Sequence, residues 1–172
     1  DAFWKDGIQP IIDKLGPLVG KSLTGSLIDS YEVGCGNGTE GFEKEFAARR
    51  HYDLRKYLPA LAGYYVESCN VAERFLWDLR LTVGEMMAEN YYDYFAQLCH
   101  QHGMDFLTEP YEGPFNAMEV GAPADVPMSE FWVGSNMFSG MANLAASVAH
   151  HNGRQIVGAE SFTAAGGESR HR

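Results

Sequence analysis

The sequence predicts an α/β fold built on about four parallel strands with intervening helices. Three observations predict it. Strand-like apolar segments alternate with segments of helical period, the pattern of βα units. The strand segments contain continuous apolar runs, "LI" at 27–28 and "IVGA" at 156–159, as expected of parallel strands buried on both faces. Each of the four strands also closes on a glutamate, at the end where parallel α/β folds bind ligands.

The elements follow in order. "AFWKDGIQPIIDKLGPLVGKSL" is amphipathic and interrupted by Pro10 and Pro17, which predicts one helix or two short ones ending near Gly20. "LTGSLIDSYE" is the first strand. Asn37 stands three residues before Glu40, a capping-box spacing, and Phe42 and Phe46 give the helix that follows an apolar face. "YDLRKYLPALAG" is a loop or short helix stopped by Pro59 and Gly63. A long helix starts at Asn70, carries Phe75, Leu79, Val83, Met87, Tyr91, Tyr94 and Leu98 three or four apart, and stops at Gly103. "MDFLTEPY" is the second strand, "EGPFNAMEVGAP" a loop, and "ADVPMSEFW" the third strand despite Pro127. "GMANLAASVAHHNG" is a helix of small residues, and "RQIVGAESF" the fourth strand. With no internal repeat, residues 1–172 read as a single segment without a domain boundary.

Bulk properties exclude several classes. In a chain of 172 residues, 45% hydrophobic and 13% aromatic content is enough to build a packed core. A net charge of −10 opposes binding to nucleic acid or to an anionic membrane, and suits a neutral ligand, a cationic ligand or a metal ion. No apolar run approaches the ~18 residues of a membrane span. Cys35, Cys69 and Cys99 form neither a disulfide framework nor a zinc site, so free thiols are expected. The start at Asp1 and the closing "GGESRHR" look like cuts in something longer. His100, His102, His150 and His151 lack metal-ligand spacing and read as structural, and Arg49 and Arg50 as solvated ends of a helix.

The acidic strand ends carry the chemistry. The first strand finishes at Asp29 and Glu32, the second at Glu109 and Tyr111, the third at Glu130 and Trp132, and the fourth at Glu160. Glu109 alone reads as a solvated loop charge, and Tyr111 and Trp132 are as well explained by the core as by stacking on a sugar. Four glutamates on four strands form a stronger pattern. Carboxylates held together raise one another's pKa and attract a hard cation. Glycoside hydrolysis needs such a pair, one acid for the leaving oxygen and one base or nucleophile.

At this point the residues carry a resemblance. "LIDSYEVG", "NGTEGFEKEFAARRHYDLRKYLPALAG", "RFLWDLR" at 74–80, "LCHQHGM" at 98–104, "EPYEGPF" at 109–115, "PMSEFW" at 127–132 and "AESFT" at 159–163 together resemble the α-L-rhamnosidases of glycoside hydrolase family 106. The resemblance implies that the chain is part of a (β/α)8 barrel, whose remaining strands come from the same longer chain. It implies hydrolysis of terminal α-L-rhamnosyl residues with inversion, on a rhamnose-containing glycan, in the periplasm or outside the cell, with calcium as cofactor. It places the general acid at Glu32, the general base at Glu160 and a third essential carboxylate at Glu130. Asp29, Glu109, Tyr111 and Trp132 become substrate contacts, and Asp29, Glu109 and Glu130 the metal ligands. Acidic neighbours and partial burial are expected to keep Glu32 protonated. Gly38, Ser129 and Glu112 depart from the family's usual residues, which bears on the sugar subsite. Two rivals share these features: a barrel glycosidase of other sugar specificity, and a non-catalytic carbohydrate-binding barrel.

Overall fold

A computed structural model describes residues 2–133 and 139–163. The sequence-final "GGESRHR" lies outside the described residues. A π-helical turn, Trp4–Ile8, leads into α1 (Gln9–Leu15) and a short 3₁₀ turn. Strand β1 (Gly25–Ile28) follows, then α2 (Phe42–Arg50), a 3₁₀ segment (Leu54–Ala62) and α3 (Cys69–Met87). A π-helical stretch, Ala88–Asp93, joins α3 to α4 (Tyr94–Gln101). Then come β2 (Asp105–Thr108), α5 (Ala117–Gly121), β3 (Val126–Trp132), α6 (Ser139–His151) and β4 (Gly158–Thr163).

The four strands form one parallel sheet in the order β1-β2-β3-β4. Sequential order with parallel pairing and helical crossovers is the arrangement of an arc of a (β/α)8 barrel. The register pairs Ile28 with Thr108, Thr108 with Pro127, and Glu130 with Glu160. Because side chains alternate, residues 25, 27, 107, 126, 128 and 158 share one face, and 28, 106, 108, 127 and 129 the other. Ile28, Phe106, Thr108, Pro127 and Ser129 are buried, on the face that α4 and α6 cover.

The opposite face differs from the sequence expectation. Leu27 is 46% exposed, and Ile156, taken as part of a strand, is exposed ahead of β4. The apolar runs therefore do not mark strands buried on both sides within these residues. An arc of a barrel has its helices on the outside, and no described element covers its inner face.

Two cores organise the helices. One joins Trp4, Ile12, Tyr92, Phe95, Cys99 and Val120 to Ile28, Met104 and Phe106 of the sheet region. The other lies between α2, the 3₁₀ segment and α3, and holds Phe42, Phe46, Leu54, Phe75 and Leu79. From Cys69 to Gln101 the chain is helical without a break. At 1.5 Å per residue such a rod is about 50 Å long, several times the length of a four-residue strand. Its C-terminal part packs on the sheet, and its N-terminal part with α2 forms a helical unit beyond the strand ends.

Several local expectations are corrected. Ser68, not Asn70, caps the long helix, its hydroxyl accepting from Val71 N at 3.2 Å. No Asn37–Glu40 box forms, and α2 begins after Gly41 in a left-handed conformation (φ 81°). The loop after β2 contains α5, capped by Asn116. Arg49 and Arg50 are not simply solvated. Arg49 pairs with Glu89 (2.5 Å) and Glu85 (3.3 Å), while Arg50 donates to Thr82 Oγ1 (2.9 Å) and pairs with Glu85. These partners lie 32 to 40 residues away, so only the crossing of α2 over the rod brings them together. As expected, all three cysteines are free. His100 is tied to Asp125 at 2.6 Å, and His102 stacks on Trp4 at 5.8 Å.

Phe46 is fully buried and packs against Phe42, Tyr52 and Phe75. Phe46→Ala is expected to cost about 3–5 kcal/mol of stability through the cavity it leaves, measured as a shift in the denaturant midpoint.

Candidate active site

The parallel register builds the site. Since Ile28 pairs with Thr108, the next residues, Asp29 and Glu109, leave the sheet side by side. Glu130 and Glu160 are direct partners. By alternation all four carboxylates fall on the inner face of the arc, at the C-terminal ends of four consecutive strands. Carboxylate oxygens of Asp29, Glu109 and Glu160 lie within 4.8 Å of one another.

Main-chain contacts brace this rim. Glu109 N donates to Ile28 O (3.1 Å), Tyr111 N to Glu109 O (3.0 Å) and Tyr31 N to Tyr111 O (3.3 Å). At the other end a bulge in β4 pairs Phe131 with Ser161 but Trp132 with Thr163. Phe162, at φ 60°, is the additional residue. The bulge brings the Thr163 hydroxyl back onto Glu160, to which it donates at 2.5 Å.

Glu109 is the unusual member. Read alone, it was expected to be a solvated charge, yet it is 1% exposed, and neither carboxylate oxygen has a hydrogen-bond partner among the described residues. Burial pushes its pKa up to about 7. The Tyr111 hydroxyl opposes that rise, while Asp29 and Glu130 add to it. Tyr111 is buried too, and its own hydroxyl is driven up by burial and then by Glu109. A buried carboxylate without partners, two oxygens from a second and third carboxylate, is a donor set suited to a hard cation.

The other expected residues are placed as follows. Glu130 accepts from Trp132 Nε1 at 2.7 Å and acts on Glu109 as a nearby charge. The close trio is thus Asp29, Glu109 and Glu160, where the sequence grouped Asp29 and Glu109 with Glu130. Trp132 orients a carboxylate through its ring N–H. Glu32 is exposed rather than partly buried, and accepts from Ser30 Oγ at 2.9 Å. It lines a pocket of about 390 Å³ with Asp29, Tyr31, Met87, Tyr91 and Tyr92. Asp29 therefore belongs both to the carboxylate trio and to the pocket of Glu32. Tyr31, Tyr91 and Thr163 did not emerge from the sequence as site residues. Tyr31 could have, standing between Asp29 and Glu32, but Tyr91 reaches the rim only through the tertiary fold.

Carboxylates gathered at the mouth of a parallel βα arc define the class: a piece of a barrel of the kind that hosts glycosidic chemistry. The chain belongs to the alpha-L-rhamnosidase family, glycoside hydrolase family 106, which it matches over residues 2–170. It is 55% identical over 171 residues to a Formosa agariphila protein provisionally named a beta-glucuronidase, a match covering 99% of this chain and 15% of that protein. It is also similar to the solved structure of a rhamnosidase from Novosphingobium sp. PP1Y, with a TM-score of 0.79 and 33% identity over 93% of this chain and 16% of that one. The chain thus spans about a sixth of the length of these relatives.

The pKa of Glu109 gives a pH signature. Between about 4.5 and 7 the folded state holds a proton on Glu109 that the unfolded chain releases, so stability falls as pH rises through this window. Without added cation, Glu109→Gln is expected to remove that loss and to gain about 3 kcal/mol over the parent near pH 8. Thermal denaturation across pH 4 to 8 measures it, and parallel curves for the two proteins would contradict it.

Proposed function

We propose that the protein containing this chain hydrolyses terminal α-L-rhamnosyl residues from a glycan or glycoside, with inversion. The observation that carries the reading is the convergence of Asp29, Glu109 and Glu160 from three strand ends within 4.8 Å, in a chain matching this family over nearly its whole length.

In this reading Glu32 donates a proton to the glycosidic oxygen, and Glu160 accepts one from water attacking the opposite face of the sugar. Inversion needs ~6.5–9.5 Å between the two carboxyl groups, room for that water. Thr163 holds one oxygen of Glu160, which leaves the second to act as base. Trp132 holds one oxygen of Glu130, which leaves the other to meet the sugar or the cation. Tyr111 stays a neutral phenol, because burial and Glu109 both oppose its ionisation.

Asp29 and Glu109 are the residues that would hold calcium, with Glu130 adjacent and Glu160 close enough to feel its charge. The partnerless oxygens of Glu109 are what support the fit. Calcium bound there would offset carboxylate repulsion and take up sugar hydroxyls. The remaining strands of the barrel come from the rest of the longer chain.

A beta-glucuronidase reading follows from the relative's name. A glucuronide carries a carboxylate, and this rim is acidic. Among the described residues none of the five carboxylates is paired with a lysine or arginine. A neutral deoxy sugar fits this rim better than an anionic one.

Assay of the full-length protein on aryl α-L-rhamnoside and aryl β-D-glucuronide separates the two readings, and rhamnoside turnover is expected. Glu32→Gln and Glu160→Gln are each expected to lower kcat by about 10²–10⁴-fold. NMR of the first-formed anomer reports the stereochemistry, and a retained anomer contradicts the acid/base assignment. Chelation is expected to lower activity and thermal stability, with calcium restoring both.

A further inference from the structure

The helical unit beyond the strand ends is not used by the carboxylate chemistry, yet it adjoins it. Where the long rod passes the end of β1, its hydrogen bonding switches from α to π over Ala88–Asp93. Such bulges are common at functional sites. This one sets Tyr91 beside the rim, where it shares the pocket of Glu32. A second groove, of about 680 Å³, continues from that pocket, and Tyr31, Met87 and Tyr91 line both. They are therefore one continuous surface leading away from the carboxylates, under the loop at 36–41.

Tyr91 is braced as a platform. Its ring packs edge-on against Tyr92 (5.0 Å), Tyr92 against Phe115 (5.3 Å) and Phe115 against Tyr31 (5.9 Å). Tyr91 nevertheless remains 42% exposed. Asn90 on the same π stretch is fixed by its Nδ2 donating to Met86 O at 3.0 Å, and lines the groove beside Glu89. The floor is aromatic and apolar while the rim carries amide and charged groups. A pyranose ring has matching surfaces, apolar C–H faces and hydroxyl edges.

We propose that this groove holds the leaving saccharide, its first ring stacked on Tyr91 and its hydroxyls toward Asn90 and Glu89. The inference rests on the assignment of Glu32 as general acid. A proton from Glu32 goes to the glycosidic oxygen, so the departing sugar lies on the side of Glu32. The adjoining volume on that side is the Tyr91 groove. Tyr91 then sets specificity for the leaving group and does not take part in proton transfer.

The test uses the full-length enzyme with Tyr91→Leu and Tyr91→Phe. Two substrates are compared: a rhamnosyl-glucose disaccharide, and α-L-rhamnosyl fluoride, whose leaving group is too small to reach the groove. The ratio of kcat/KM for disaccharide over fluoride is expected to fall about tenfold in Tyr91→Leu and to stay within about twofold of the parent in Tyr91→Phe. Circular dichroism and the thermal midpoint of each variant report its folding. An unchanged ratio in Tyr91→Leu, with fluoride still turned over, overturns the groove assignment alone. A parent enzyme inactive on the fluoride overturns the rhamnosidase reading, and this inference with it.

Discussion

Repulsion between carboxylates forced onto one edge of a parallel sheet is the constraint around which this chain is organised. Parallel pairing leaves little freedom in where the strand-end side chains go. Once Ile28 is opposite Thr108 and Glu130 opposite Glu160, Asp29, Glu109, Glu130 and Glu160 must share a face. Bringing three of them within 4.8 Å costs free energy that solvent screening cannot relieve at Glu109, which is buried. The chain relieves it locally by different means. Glu109 holds its proton to about pH 7, Glu130 takes the indole N–H of Trp132, and Glu160 takes the hydroxyl of Thr163.

That arrangement needs a rigid base, and the helices supply it from one side only. α4 and α6 press on the outer face of the sheet, and the core around Tyr92, Phe95 and Phe106 fixes the level at which the long rod passes the strand ends. The network of Arg49 and Arg50 with Glu85 and Glu89 then locks α2 across that rod. The acidic charge of the molecule is thus used twice. At the rim it is crowded and unpaired, and in the helical unit it is neutralised by arginine. The first condition suits a site that polarises a neutral sugar and takes a cation, and the second suits a scaffold.

Much of this was legible from residue order. The alternation of apolar and periodic segments indicates βα units, and the sheet has four parallel strands in sequential order. The long helix was visible because its apolar residues recur every three or four positions from Phe75 to Leu98. Its cap was misplaced by two positions, since Ser68 and Asn70 are both competent caps and only backbone geometry at Ser68 separates them. The partners of Arg49 and Arg50 were not legible, because they depend on the angle at which two helices cross. The same is true of Tyr91, whose helical spacing reads as packing and whose position beside Asp29 and Glu32 depends on where the rod turns π.

Sequence by itself determined which residues stand at strand ends, because apolar runs and turns locate strands and side-chain alternation is local. It also determined that four of those ends are acidic. Tertiary structure decided which of the acids meet. Side-chain reach across β3 brought Glu160 rather than Glu130 to Asp29 and Glu109, and the bulge at Phe162 turned Thr163 onto Glu160. It decided as well that Glu109, unremarkable in sequence, is the carboxylate removed from water while Glu32 stays exposed. Burial is a property of packing between distant segments, and a carboxylate's protonation follows burial before it follows its neighbours in the chain.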